Sequence, residues 1–258
     1  MIPSANSQLT ASPRTSSHRL RVSVVIPALN EEQPIVGVVQ GIPPGLVDEI
    51  IVVDNGSTDA TAEHARRAGA RVVAEPMLGY GRACRAGLSA VAQDCEVVVF
   101  LDGDGSDCPE LTPRLLEPIF AGTHDLVIGS RLRGNREPGS MNAVQLIAGR
   151  VAGFLLHMRY GVRYTDMCPF RAIRRDALES LGMREQTYGW NLEMQMRAAR
   201  AGLRILEVPV DHRRRTGGHS KVSGTPLGTV RAASRILLTL ARLATERRSR
   251  SKGSGVNG

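Results

Sequence analysis

The feature that most constrains this chain is a series of short, nearly unbroken apolar runs: Val22 to Ile26, Glu49 to Val53, Ala70 to Ala74, Glu96 to Leu101 and Asp125 to Ile128. A strand that is apolar along its whole length is covered on both faces, which in sheets happens where crossover helices lie on each side. Helical patterns near Glu31 to Gln40, Asp59 to Ala68, Gly81 to Ala92 and Pro109 to Phe120 separate the runs. The pattern predicts an α/β fold with a doubly wound, mainly parallel, Rossmann-like sheet. In such sheets ligands bind outside the carboxyl ends of the strands. Three loops leave those ends carrying polar groups: Pro27-Ala28-Leu29-Asn30-Glu31, Asp54-Asn55-Gly56-Ser57-Thr58-Asp59 and Asp102-Gly103-Asp104-Gly105-Ser106-Asp107. They are expected to converge on one crevice.

After Ser130 the pattern changes to a Gly- and Pro-containing connection, an apolar helix from about Met141 to His157, a helix near Gly189 to Ala201 and a strand from Arg204 to Val208. A basic loop, His212 to Gly224, leads into a helix from about Leu227 to Ala244. The expected division is a disordered leader over 1–20, one catalytic unit over 21–224, an amphipathic C-terminal helix over 225–245 and a disordered basic tail over 246–258. A chain of 258 residues suits one α/β domain with a modest extension. No apolar stretch approaches the ~20 residues a membrane span needs. Cys84, Cys95, Cys108 and Cys168 lack zinc-site spacing and are too few for a disulfide scaffold, which predicts a cytoplasmic setting. The net charge of +8 suits phosphates or anionic lipid, whereas aromatic residues at 3% offer few stacking platforms for nucleic acid.

Asp102, Asp104 and Asp107 crowd into six residues directly behind the most hydrophobic run. Two carboxylates about 6 Å apart at an effective dielectric of about 20 repel by about 3 kcal/mol, a cost that a divalent cation reverses. Mg²⁺ is commonly held by one or two carboxylates plus substrate phosphates, so an Asp-x-Asp pair beside a nucleotide pocket points to a shared ion. The competing reading makes these residues caps of the helix near Pro109, which accounts for Asp107 better than for Asp102. Asp54 is placed to accept hydrogen bonds from a base or ribose, Asp59 fits the first turn of a helix, and Gly79-Tyr80-Gly81 reads as a tight turn lining the pocket.

Taken together, VVIPALNEE, IIVVDNGSTDAT, LGYGRACRAG, FLDGDGSDCP, LVIGSR, PFRAIRRDAL, LEMQMRAARAGLRILEVPV and RTGGHSK resemble the family-two inverting glycosyltransferases of the GT-A fold. The resemblance runs from about Val22 to Lys221 and is strongest to the dolichyl-phosphate and polyprenyl-phosphate mannosyltransferase-like branch. It implies a nucleoside diphosphate sugar donor, with a UDP or GDP carrier, and a metal cofactor, Mg²⁺ or Mn²⁺, held by Asp102 and Asp104. The donor-binding set it implies is Pro27, Leu29, Glu31, Asp54, Asp102, Gly103, Arg131, Arg215, Ser220 and Lys221. Asp104, Arg131, Lys221 and Glu193 are the residues implied in catalysis. Where the branch carries a stronger ligand two residues after the second aspartate, this chain has Ser106.

A phosphate acceptor is already ionised and needs no base, whereas a hydroxyl acceptor needs a carboxylate to take its proton. Two readings therefore stand: transfer of a hexose to a polyprenyl phosphate, or transfer to the hydroxyl of a small molecule or glycan with Glu193 as base. For Glu193 the alternative is an i,i+4 ion pair with Arg197. Asp166 lies in the same acceptor region but equally suits a turn, Asp176 reads as part of a capping box with Glu179, and Arg213 and Arg214 read as solvated. The C-terminal helix interleaves Arg231, Arg235 and Arg242 with apolar residues, as a helix lying on anionic lipid does, or as one packed on the domain. A catalytically silent nucleotide-sugar or lipid-binding module is the alternative of another class.

Overall fold

A computed structural model describes residues 19–141 and 143–216. Its strands are β1 Val22–Ala28, β2 Glu49–Asp54, β3 Arg71–Ala74, β4 Val97–Phe100, β5 Leu126–Ser130, β6 Arg171–Arg174 and β7 Ile205–Pro209. They form one seven-stranded sheet in the order β3-β2-β1-β4-β6-β5-β7. The helices are α1 Ile35–Gln40, α2 Thr61–Arg67, α3 Tyr80–Ala90, α4 Thr112–Phe120, α5 Ala143–Tyr160, α6 Arg175–Leu181 and α7 Trp190–Ala201, with a 3-10 turn at Pro109–Leu111. The expected doubly wound, mostly parallel α/β sheet is present. Every residue of β1, β4 and β5 is buried, as their unbroken Val/Ile runs require.

Parallel registry sets the crevice. Ala28 pairs with Asp54 across β1 and β2, and Val25 pairs with Phe100 across β1 and β4, so the three predicted loops leave neighbouring strand ends. The helix after β1 starts later than expected, at Ile35. Ahead of it the chain makes a turn in which Thr61 Oγ1 and Asp59 Oδ2 accept the amides of Glu31 and Glu32 and the Glu31 carbonyl accepts the Ile35 amide. Helix α3 packs close over the sheet because residue 87 is glycine: a Cβ there would lie 2.4 Å from Val25 Cγ1 and 2.9 Å from Val53 Cγ2.

One strand differs from expectation. β6 runs antiparallel between β4 and β5, pairing Arg171 with both Phe100 and Ile128. Its four residues include two arginines, which hide the apolar signal. Arg171 is nonetheless fully buried, donating to the carbonyls of Cys168 and Asn191. Asp176 also differs: it stands inside α6 rather than at its cap, and it pairs with Arg174. Helix α5 rests on the chain before β6 through Gly153, where a methyl would come within 2.1 Å of the Tyr164 carbonyl. The leader up to residue 18, Ser220, Lys221, the helix predicted over 225–245 and the basic tail lie outside the described residues.

Candidate active site

The three loops are laced together. Asn30 adopts φ 52°, a left-handed conformation that asparagine tolerates better than most residues. From there its Oδ1 accepts the Thr58 amide at 2.8 Å while its own amide donates to Ser57 Oγ at 3.0 Å. Asp54, half-buried at the end of β2, accepts the Ser57 amide through Oδ1 at 2.9 Å. Pro27 closes into β1, Leu29 is half-buried just beyond it, and Glu31 is buried with its backbone on Thr61. Gly103 lies against the other side of this strand end, where a Cβ would come within 3.3 Å of Ala28 Cβ and the Pro27 carbonyl. The structure thus brings Pro27, Leu29, Glu31, Asp54, Asp102, Gly103 and Asp104 to one crevice.

Asn55, which sequence reasoning passed over, fixes the crevice wall. Its Nδ2 donates to the carbonyls of Glu75 and Met77, and its Oδ1 accepts the Gly79 amide at 2.8 Å. Gly79 and Gly81 are needed for close approach, since a Cβ would meet the carbonyl of Gln186 at 2.4 Å or of Glu185 at 2.3 Å. The predicted tight turn is therefore the seat of a second segment, 184–187, and it delivers Tyr80 beneath the acidic loop. An Asn-Gly pair directly after a strand was the available signal for Asn55.

The acidic loop is electrostatically strained. Asp102 is pushed well above the usual carboxylate range by burial and by the charges of Asp104 and Asp107. The Tyr80 hydroxyl is buried beside it and helps to hold its charge, while burial followed by the Asp102 charge drives the Tyr80 phenol upward. Asp107 does not cap the following helix; its Oδ2 accepts the Asp102 amide at 3.0 Å, and burial raises its pKa to about 7. Neighbouring His212, lowered to about 4 by burial and then by Arg131, lies 3.9 Å from Asp107.

Asp104 is the exception. Burial works against its charge, but Arg215 and Ser106 outweigh it and lower its pKa. Arg215 Nη2 reaches Asp104 Oδ2 at 2.8 Å and Glu31 Oε1 at 3.2 Å, while Ser106 donates its amide and hydroxyl to Asp104 Oδ1. Arg215, which the resemblance places in the donor-binding set, therefore spans the first and third loops. Arg213 and Arg214 lie outside, on Glu110, Glu137 and the Pro138 carbonyl. Among the described residues no group of three or more His, Cys, Asp or Glu is arranged to hold a metal. The donor set that does exist, the crowded carboxylates of Asp102 and Asp104, fits an ion completed by substrate phosphates.

Beyond β5, Arg131 is gripped bidentately by Asp166 (Nε to Oδ2 and Nη2 to Oδ1, both 2.7 Å), and its amide also meets Oδ2. Ser130 shares a 2.6 Å hydrogen bond with Thr165, whose amide and hydroxyl donate to Glu207. Glu193 is held by the chain around it. It is fully buried: Oε2 accepts the amides of Arg184 and Glu185 at 2.9 and 2.6 Å, and Oε1 accepts Arg197 Nε at 2.9 Å. This carboxylate anchors the 184–187 segment, and the ion-pair reading of Glu193 is the one the geometry realises.

An uncharacterized glycosyltransferase of Mycobacterium tuberculosis is 41% identical over 81% of this chain and 93% of its own length. The undecaprenyl-phosphate mannosyltransferase of Micrococcus luteus is 33% identical over 81% of this chain and 90% of its own. Among solved structures, glucosyl-3-phosphoglycerate synthase from Mycobacterium tuberculosis, in complex with Mn²⁺, uridine-diphosphate and phosphoglyceric acid, superposes with a TM-score of 0.71 at 30% identity, covering 89% of this chain and 80% of that one. Residues 23–182 match Glycosyl transferase family 2, and it is to this family, with its GT-A fold and its transferase activity, that the chain belongs.

Proposed function

We propose that the protein transfers a hexose from a nucleoside diphosphate sugar to a polyprenyl phosphate. The observation that carries the choice of acceptor is the state of Glu193: saturated and buried, it leaves the hydroxyl reading without its base, whereas a phosphate oxygen attacks as an anion already. The mannosyltransferase relative, named for undecaprenyl phosphate, supports the same acceptor class.

Asp54 and the Glu31 loop would receive the nucleoside, and Asp102 and Asp104 would hold Mg²⁺ or Mn²⁺ with the donor diphosphate. Such an ion, when bound, supplies neutralisation of the leaving diphosphate. Arg215 and Lys221 would contribute positive charge there and Ser220 a hydroxyl donor, and Arg131, oriented by Asp166, would lie near the phosphates. The fixed donors cost little reorganisation during transfer, which is how such sites lower a barrier.

The test is a panel of UDP- and GDP-sugars with Mg²⁺ or Mn²⁺, following diphosphate release with and without polyprenyl phosphate. Release that depends on the lipid phosphate is expected, and Asp104→Asn should lose at least about a hundredfold in metal-dependent turnover while staying folded by circular dichroism. Full activity of Asp104→Asn would remove the metal assignment, and release that responds only to hydroxyl acceptors would remove the lipid.

A further inference from the structure

Helix α5 presents an apolar face that is exposed among the described residues. Val151, Phe154, Leu155 and Met158 are 49%, 63%, 41% and 70% exposed, in contrast to the buried Gly149, Gly153 and Leu156 of the same helix. At about 100° of turn per residue, the four exposed residues fall on one stripe, directly opposite the side that rests on Tyr164 and Thr165. Arg150 and Arg159, both exposed, flank the stripe on its two sides, and exposed Arg163 follows the helix. A single exposed leucine means nothing, but four large apolar side chains contiguous over two turns mark an interaction surface.

We propose that this face of α5 lies in the headgroup region of an anionic lipid bilayer. Charge complementarity selects that occupant: a helix with an apolar stripe bordered by arginines is suited to an anionic interface, with apolar groups buried and guanidinium groups reaching back to phosphates. No helix among the described residues is long and apolar enough to cross a membrane, so α5 lies on the surface and does not span it. Its inner face seats the segment that carries Thr165 and Asp166, and Asp166 orients Arg131. Docking through the outer face would therefore hold the acceptor side of the site one helix diameter from the lipid. The proposal deepens the polyprenyl phosphate reading and rests on it, since such an acceptor resides in a bilayer.

The experiment is co-sedimentation of the full chain, without donor, with phosphatidylcholine vesicles and with vesicles also containing phosphatidylglycerol. The wild type should bind the anionic vesicles and release at high salt. Phe154→Ser/Met158→Ser should bind more than about tenfold more weakly. Arg150→Gln/Arg159→Gln should lose the salt-sensitive part. The substituted side chains are exposed, and circular dichroism and melting should be unchanged. Wild type that stays in the supernatant, or a serine variant that binds as well as wild type, overturns the proposal. A wild-type dimer that the serine variant converts to monomer overturns it in favour of a second copy on this face. With a short-chain polyprenyl phosphate dispersed in detergent, the serine variant should keep the wild-type kcat; if neither protein transfers to that acceptor, the acceptor reading fails while vesicle binding still decides the docking surface.

Discussion

Glu193 shows how one side chain can serve two readings until its neighbours are seen. On a helix, a glutamate four residues before an arginine suits an exposed ion pair worth a few tenths of a kcal/mol, and equally suits a base facing a pocket. Here the carboxylate is buried and accepts two amides besides Arg197. Glu193→Gln should therefore cost about 3 kcal/mol of stability, because Arg197 is left beside a neutral group in a dry setting. Its kcat, measured on folded protein below the melting transition, should stay within about twofold of wild type; a loss of about a hundredfold with unchanged stability would restore the base. Asp102 and Asp104 were legible because carboxylates crowded behind a buried strand demand an explanation. The hold of Arg215 on Asp104 was not, since 111 residues separate the two and only the fold brings them together.

At the scale of elements, the parallel strands were legible because burial on both faces leaves unbroken Val/Ile runs. β6 was not, because Arg171, buried in the sheet, reads as a surface residue until the carbonyls that receive it are known. The α1 boundary was also not legible, because the turn before it is tied to Thr61 and Asp59, about thirty residues away in sequence. Helix α3 offers a test of packing. Gly87→Ala would press a methyl into Val25 and Val53, whose positions β1 and β2 fix on both sides. Overpacking of this kind costs about 1–3 kcal/mol, so the melting temperature should fall by several degrees. A variant as stable as wild type would mean that α3 sits further from the sheet.

For the whole molecule, the buried Arg131 and Asp166 pair ties the β5 end to the acceptor segment, and so it should enter global stability as a pH dependence. Burial alone would raise Asp166, but hydrogen bonds and charge from Arg131 outweigh it, leaving its pKa below the ordinary 3.8. A depressed carboxylate contributes fully above its unfolded pKa, and that contribution is lost as the pH falls through its folded value. Asp166→Asn should be less stable than wild type by about 3 kcal/mol at neutral pH, and the gap should narrow as the pH drops below 3.8. Urea unfolding of both proteins from neutral to acid checks this, and a gap independent of pH would contradict it.

The reversed β6 has a consequence for how such a molecule can diversify. An antiparallel strand begins at the same sheet edge where its parallel neighbours end, so the chain between Arg131 and Phe170 leaves and re-enters at the catalytic edge, with β5 and β6 paired at its base. That excursion can grow, shrink or change its outward chemistry, and with it the acceptor proposed above, while β1, β2 and β4 and the loops that leave them stay unaltered.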